Sequence, residues 1–322
     1  MRRGALGGRR RVAASPGPTL ADMPSSRWTA SNMPSLDGRT VVVTGANSGL
    51  GLVAARAFAG AGARVVLAVR NTQKGEAAAA TIAGSAEVRR LDLADLASIA
   101  AFAEGWEGGL DILVNNAGVM AVPQQRTKDG FELQIGTNHL GHFALTNRLL
   151  PAITDRVVTL SSFAHRTGRI RLDDLSFERR RYGRWTAYGQ SKLANLLFTL
   201  ELQRRLSEAR SPVRALAAHP GYAATDLQSH TGNPLQNAFM AVTNRVVAQS
   251  AEMGALPVLY AATMDLPGDS YVGPGGLREL RGHPAIAGRS DAALDAATAA
   301  RLWELSEELT GVTFPLAASP VT

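Results

Sequence analysis

Short runs of apolar, often β-branched residues alternate along this chain with longer stretches whose apolar positions recur at helical spacing. Residues 40–44, 64–69, 87–91, 110–115, 156–161 and 213–218 are apolar at successive positions, which predicts strands buried on both faces; 270–272 predicts a short seventh. Between them, residues 50–59, 72–83, 95–104, 130–150, 186–207, 248–262 and 291–309 show helical periodicity, and Pro151 closes the fourth. Strands with no polar face, each followed by a helix, predict a mostly parallel seven-stranded sheet with helices on both faces. That is the doubly wound α/β (Rossmann) class, built with right-handed crossovers. Two segments lack either period, 163–185 and 226–247. Both follow the carboxyl end of a strand, where such sheets bind ligands, so both are expected to line the substrate pocket.

Composition narrows this to one globular domain. The 322 residues are 45% hydrophobic and 19% charged, with no internal repeat and no linker that would divide them. The formal net charge is +7, but residues 1–35 hold Arg2, Arg3, Arg9, Arg10, Arg11 and Arg27 against Asp22, a net of +5. The remainder carries only +2, which removes the case for nucleic acid as a partner. Residues 1–35 are expected to be a disordered extension, or the product of a start codon placed too early with Met23 or Met33 as the true start, and 36–322 the folded domain. Zero cysteines exclude disulfides, thiolate metal sites and cysteine nucleophiles. No apolar run reaches the roughly 18 residues of a membrane span, and a cytoplasmic location is expected.

Candidate chemistry begins with Tyr188-Gly189-Gln190-Ser191-Lys192, where a phenol and an ammonium four residues apart share one helical face. Lowering a phenol pKa by roughly three units takes about 4 kcal/mol, which a solvent-screened charge does not supply and a dry cleft can. A second feature joins the first strand to the first helix. In Thr44-Gly45-Ala46-Asn47-Ser48-Gly49-Leu50-Gly51 the glycines let backbone approach a pyrophosphate held at the helix N-terminus. The spacing differs from the common G-x-G-x-x-G. An NAD-preferring site has an acid at the end of the second strand, whereas this chain has Arg70, with Lys74 nearby. A guanidinium there suits a 2′-phosphate, so NADP(H) is expected in preference to NAD(H).

These residues, with Asp92-Leu93, Asn115-Asn116-Ala117-Gly118, Asn138, Ser162 and Pro220-Gly221 in that order, closely resemble the short-chain dehydrogenase/reductase family from about residue 36 to 314. Within it, Asn138-His139-Leu140-Gly141-His142-Phe143, Ser161-Ser162-Phe163-Ala164-His165 and Ser191-Lys192-Leu193-Ala194-Asn195 are most like the retinol dehydrogenase and WW-domain oxidoreductase branch. The resemblance implies that Tyr188 is the general acid/base. Lys192 would lower its pKa and bond the nicotinamide ribose, Ser162 would hold the substrate oxygen, and Asn138 would interrupt its helix and position a water. It further implies cofactor contacts by Gly45, Asn47, Ser48, Gly49, Leu50, Gly51, Arg70, Asp92, Leu93, Asn115, Ala117, Gly118, Pro220, Gly221 and Thr225.

The expected activity is interconversion of an alcohol with a ketone or aldehyde on a moderately hydrophobic small molecule, by hydride transfer and without a metal. The rival readings are a catalytically weak protein that senses NADP(H) and a protochlorophyllide-reductase-like enzyme. An intact set of Ser162, Tyr188, Lys192 and Asn138 weighs against the first, and the lack of cysteine against the second. His139, His142 and His165 have no third ligand at a suitable spacing and are expected in packing or local hydrogen bonds. Arg179-Arg180-Arg181 reads as a solvated face. Leu193, Leu196, Leu197 and Leu200 form a stripe on the 188–205 helix that would serve either a homo-oligomer interface or the protein's own sheet.

Overall fold

The computed structural model describes residues 27–221 and 250–316. Its strands are β1 (Thr40–Thr44), β2 (Arg64–Val69), β3 (Ala86–Arg90), β4 (Leu110–Asn115), β5 (Ile153–Leu160), β6 (Arg214–Ala218), β7 (Tyr271–Pro274) and β8 (Pro284–Ile286). Among the described residues they form one sheet in the order β3-β2-β1-β4-β5-β6-β7-β8, parallel except where β8 runs against β7. The helices are α1 (Gly49–Gly60), α2 (Thr72–Ala79), α3 (Leu96–Glu104), α4 (Leu133–Ile135), α5 (Gly141–Leu149), α6 (Arg184–Glu208), α7 (Ala251–Thr263) and α8 (Ala296–Thr310).

β1 shows how the pattern makes the layers. Val41, Val42 and Val43 are all fully buried, yet alternate sides. Val41 and Val43 meet Ala55 and Phe58 of α1 and Leu259 of α7, while Val42 meets Ile99 of α3, Phe143 of α5 and Phe198 of α6. Val42 pairs with Val66 on β2 and Leu113 on β4. The strand order reverses between β1 and β4, the switch point outside whose carboxyl ends sheets of this class bind ligands.

Three expectations change. The sheet has eight strands, not seven, because the half-exposed Pro284–Ile286 pairs Gly273 with Ala285 in a three-residue edge too short to carry a periodic signal. The 130–150 helix begins late: Gly130 turns at φ 90, and the Glu132 carboxylate accepts the N–H groups of Gln134 and Ile135 at 2.9 Å. A π-helical turn, Gly136–Leu140, then separates α4 from α5. The 291–309 helix is broken after Asp291–Ala293, since the Asp295 side chain caps the Thr298 N–H at 3.0 Å and restarts it as α8.

The leucine stripe of α6 is covered from within. Leu193, Leu196 and Leu197 are at most 1% exposed and pack with Ile135, Ala299 and Leu302, and Trp303 of α8 stacks on Phe198 at 5.7 Å. The face considered for a second subunit is therefore occupied by the chain's own C-terminal helix. Among the described residues, no helix is long and apolar enough to cross a membrane.

Residues before 36 also pack on the rest of the chain. Trp28 meets Tyr260 of α7 edge-on at 5.1 Å, His283 Nδ1 donates to the Trp28 carbonyl at 2.9 Å, and Met33 packs on the same cluster. Polar Ser, Asn and Pro neighbours hide this single aromatic anchor in the sequence. Trp28→Ala should therefore lower unfolding stability by roughly 1–3 kcal/mol with an unchanged denaturant slope. An unaltered urea midpoint would show the segment to be passive.

Candidate active site

The glycine turn sits at the reversal of strand order. Gly45 adopts φ 68, and a Cβ added there would lie 2.9 Å from the Ala117 Cβ, so the turn packs directly on the segment after β4. Ser48, the N-cap of α1, makes no side-chain bond to the first turn, and that turn holds no acid. By contrast Asn71, Asp95, Ser250 and Asp295 cap α2, α3, α7 and α8 with their side chains. The first-turn amides of α1 and its dipole are left to an anion, as dinucleotide phosphate requires. Asn47, Gly49 and Leu50 are half-buried beside them. Arg70 lies exposed at the end of β2 with no ion pair among the described residues, and Lys74 is exposed one turn on. Asp92 is half-buried, with one oxygen accepting the Ala94 N–H at 3.0 Å. These residues fit a dinucleotide cofactor.

Behind the turn lies a polar chain that motif reading does not single out. The Thr44 hydroxyl accepts the N–H groups of Asn116 and Ala117, both at 2.9 Å, and contacts His142 Nε2 at 2.9 Å. His142 Nδ1 bonds the Asn138 carbonyl at 3.0 Å, so Nδ1 carries the proton and Nε2 accepts from Thr44. Burial pushes the His142 pKa down to about 4 and that of His139 down to about 3, which keeps both rings neutral. His139 Nε2 meets Ser306 Oγ at 3.0 Å. The signal available in the sequence was a threonine ending a buried strand and a histidine on an otherwise apolar helix.

At the catalytic end, the paired serines divide their work. Ser161 donates its hydroxyl to the Lys192 carbonyl at 2.8 Å, while Ser162 Oγ accepts the Ala164 N–H at 3.2 Å and stands close enough to the Tyr188 phenol to oppose the rise of its pKa. Lys192 Nζ donates to the Leu160 carbonyl at 3.1 Å and lies 5.7 Å from the centre of the Tyr188 ring. Asn138 is fully buried in the π-helical turn, which is the predicted interruption of its helix. Its Oδ1 accepts the Val119 N–H at 2.8 Å, and its Nδ2 donates to the Val119 carbonyl and to Ser191 Oγ, both at 2.9 Å. Both amide hydrogens thus brace the loop after β4 against α6. Backbone approaches backbone closely between the segment after Ser162 and α6: a Cβ at Gly168 would lie 2.3 Å from the Gly189 carbonyl oxygen.

Burial raises the Tyr188 pKa to about 12, with Ser162 opposing it, and lowers that of Lys192 to about 8. The expected depression of the phenol by Lys192 is thus outweighed, among protein groups, by loss of hydration. Phe163 and Trp185 stay 43% and 46% exposed beside this pair, with Trp185 edge-on to the Tyr188 ring at 6.1 Å.

Three further expectations shift. Leu93 is 7% exposed and belongs to the core beside Ile99, so its side chain faces inward. The Asn115 side chain likewise points inward, donating to Thr146 and Thr159 at 2.9 and 3.3 Å; Asn116 instead reaches the glycine turn, bonding the Thr44 carbonyl at 2.8 Å. Arg180 is not solvated, since it pairs with Asp174 at 3.4 Å and lies over the Phe177 ring at 3.7 Å. Ala117, Gly118, Pro220 and Gly221 line the same end of the sheet at half-buried positions. Thr225 and the 226–247 segment lie outside the described residues.

Comparison with known proteins agrees with this geometry. Residues 39–235 match the short chain dehydrogenase family. Human retinol dehydrogenase 13 is 41% identical over 299 residues, 87% of either chain, and human retinol dehydrogenase 12 is 41% identical over 86% of this chain and 88% of its own. An uncharacterized protein of Mycobacterium paratuberculosis superposes with a TM-score of 0.80 at 58% identity, covering 90% of this chain and 100% of that one. A Beutenbergia cavernae protein solved with bound NADP is 28% identical, with a TM-score of 0.55 over 71% of this chain and 91% of its own. The protein belongs to the short-chain dehydrogenase/reductase family and is an NAD(P)-dependent oxidoreductase acting on CH-OH groups.

Proposed function

We propose that this enzyme prefers NADP(H) and interconverts an alcohol with a ketone or aldehyde on a moderately hydrophobic small molecule, with Tyr188 as general acid/base. The observation that carries this reading is the placing of Ser162 beside the Tyr188 phenol, with Lys192 and Asn138 braced behind it. When bound, the nicotinamide supplies the hydride chemistry at the substrate carbon. Ser162 and Tyr188 present two hydroxyls to the substrate oxygen. A phenol pushed up to about 12 stays protonated near neutrality, so Tyr188 is set to donate to a carbonyl oxygen as negative charge develops there. In the reverse direction the phenolate needs a nearby positive charge, and Lys192 is placed to be one. The exposed Phe163 and Trp185 support an apolar substrate, as do the retinol dehydrogenase relatives. For cofactor choice the support is Arg70, which offers a guanidinium at the strand end where an acid would repel a 2′-phosphate.

Tyr188→Phe should reduce kcat by about 100-fold or more while the Kd for NADPH, read by fluorescence, stays within about threefold. Retained turnover would remove Tyr188 from the proton transfer. Arg70→Asp exchanges a charge-assisted bond for a repulsion and should shift the NADPH/NADH ratio of kcat/KM by about 10-fold or more toward NADH. An unmoved ratio would exclude Arg70 from 2′-phosphate binding.

Lys192 makes stability depend on pH. Its folded pKa of about 8 lies below the ordinary lysine value of 10.5, so charging it costs stability, fully below pH 8 and not at all above 10.5. The native protein should therefore gain on Lys192→Met by roughly 3 kcal/mol as pH rises across that window. A stability difference that stays constant over that range in urea titrations would contradict the buried ammonium.

A further inference from the structure

The turn between β7 and β8 contains Arg278 at φ 53 and Glu279 at φ 57, two consecutive side-chain-bearing residues in the left-handed region. Such strain persists only where the surroundings over-determine it. Here the conformation sends Glu279 inward. Its Oε1 accepts the Gly288 N–H at 2.9 Å, and its Oε2 faces both Arg166 Nη2 and His219 Nε2 at 3.5 Å.

The two partners belong to different parts of the site. Arg166 and His165 lie in the 3-10 turn Phe163–Thr167 that directly follows Ser162. His165 Nδ1 donates to the Ser162 carbonyl at 2.7 Å, its Nε2 accepts the Ser290 N–H at 3.3 Å, and the Arg166 guanidinium lies over the Phe163 ring at 5.2 Å. His219 begins the Pro220-Gly221 turn. Its Nδ1 accepts the Gly221 N–H at 3.2 Å, which leaves the ring proton on Nε2, 3.5 Å from Glu279 Oε2 and without a hydrogen-bond partner among the described residues. Backbone is cleared for this ring, since a Cβ at Gly273 would lie 1.9 Å from His219 Nε2. A Cβ at Gly221 would lie 2.5 Å from the Leu280 carbonyl oxygen, so the Pro-Gly turn and the strained turn meet backbone to backbone.

We propose that Glu279 is a positioning residue of the active site: its carboxylate locks the Ser162 turn to the His219-Pro220-Gly221 turn and so sets the substrate-oxygen holder relative to the nicotinamide end. The inference rests on the reading of Ser162 and the Pro-Gly turn given above. A carboxylate suits the place because it accepts from Gly288 and Arg166 and stands 3.5 Å from the otherwise unpartnered His219 Nε2–H. An amide would turn its own N–H groups against two of these groups. The strained backbone is the cost of bringing that acceptor between two turns far apart in sequence.

The full-length protein carrying Glu279→Gln, Glu279→Ala or Arg166→Met would be compared for thermal midpoint, for NADPH affinity by fluorescence, and for kcat and KM with a carbonyl substrate. Both Glu279 variants should weaken NADPH binding and lower kcat by about tenfold, with Gln no better than Ala and a midpoint within a few degrees of the parent. Arg166→Met, which frees only the serine side, should lower kcat with NADPH affinity within about twofold. Adding it to Glu279→Ala should lower kcat no further than Glu279→Ala alone. Wild-type affinity and kcat in Glu279→Gln, or additive losses in the double variant, would overturn the clamp. Should the Glu279 variants not fold, Arg166→Met with parental kcat would do the same. NADPH affinity is read without turnover, so a parent protein inactive on every carbonyl would sink the functional reading and leave the clamp to be judged on binding.

Discussion

A single backbone carbonyl at the end of β5 organises the catalytic end of this protein. The Leu160 oxygen accepts both Lys192 Nζ and Asn195 Nδ2, at 3.1 and 2.9 Å, while the next residue, Ser161, donates back to the Lys192 carbonyl. Three bonds between one strand end and one helical turn fix how far α6 is rotated about its axis. Tyr188, one turn earlier on the same face, is thereby brought to Ser162. A lysine is a costly residue to bury, and here its ammonium has an acceptor in place, the Leu160 carbonyl.

A longer polar chain ties that end to the glycine turn. Thr44 donates to His142, His142 to the Asn138 carbonyl, Asn138 Nδ2 to Ser191 Oγ, and Ser191 Oγ to the Tyr188 carbonyl at 2.8 Å. Every link is buried, and neutral histidine lets each donor meet an acceptor without an uncompensated charge. The π-helical turn has a physical purpose in this chain. It offers the Asn138 carbonyl to a side chain and turns the Asn138 amide toward Val119 and α6. The geometry of the glycine turn and of the Tyr188 helix is therefore mutually dependent.

Much of the fold was legible because its signals are local. Runs such as Val41-Val42-Val43 and Val65-Val66-Leu67 admit no amphipathic helix, and their alternation with helical stretches leaves few topologies. Where expectation failed, the deciding interaction was usually between distant residues. Glu132 and Asp295 begin helices late by bonding backbone that the apolar period does not register. Pro284–Ile286 became a strand only because β7 offered a free edge. Leu193, Leu196 and Leu197 looked equally suited to a subunit contact until α8 was seen to cover them.

The sequence by itself determined the sheet, its switch point, and the residue types gathered there, since strand period, crossover handedness and glycine turns are properties of short segments. It also carried the ordered motifs by which the chain resembles its family. Only the tertiary structure decided direction and partnership: that Asn116 rather than Asn115 reaches the turn, that Ser161 holds the helix while Ser162 stands beside the phenol, and that His142 and Glu279 face groups of these turns. A side chain's chemistry is written at its own position. The donor it faces and the water it loses are set by residues tens or hundreds of positions away, and those two quantities govern its pKa and its role.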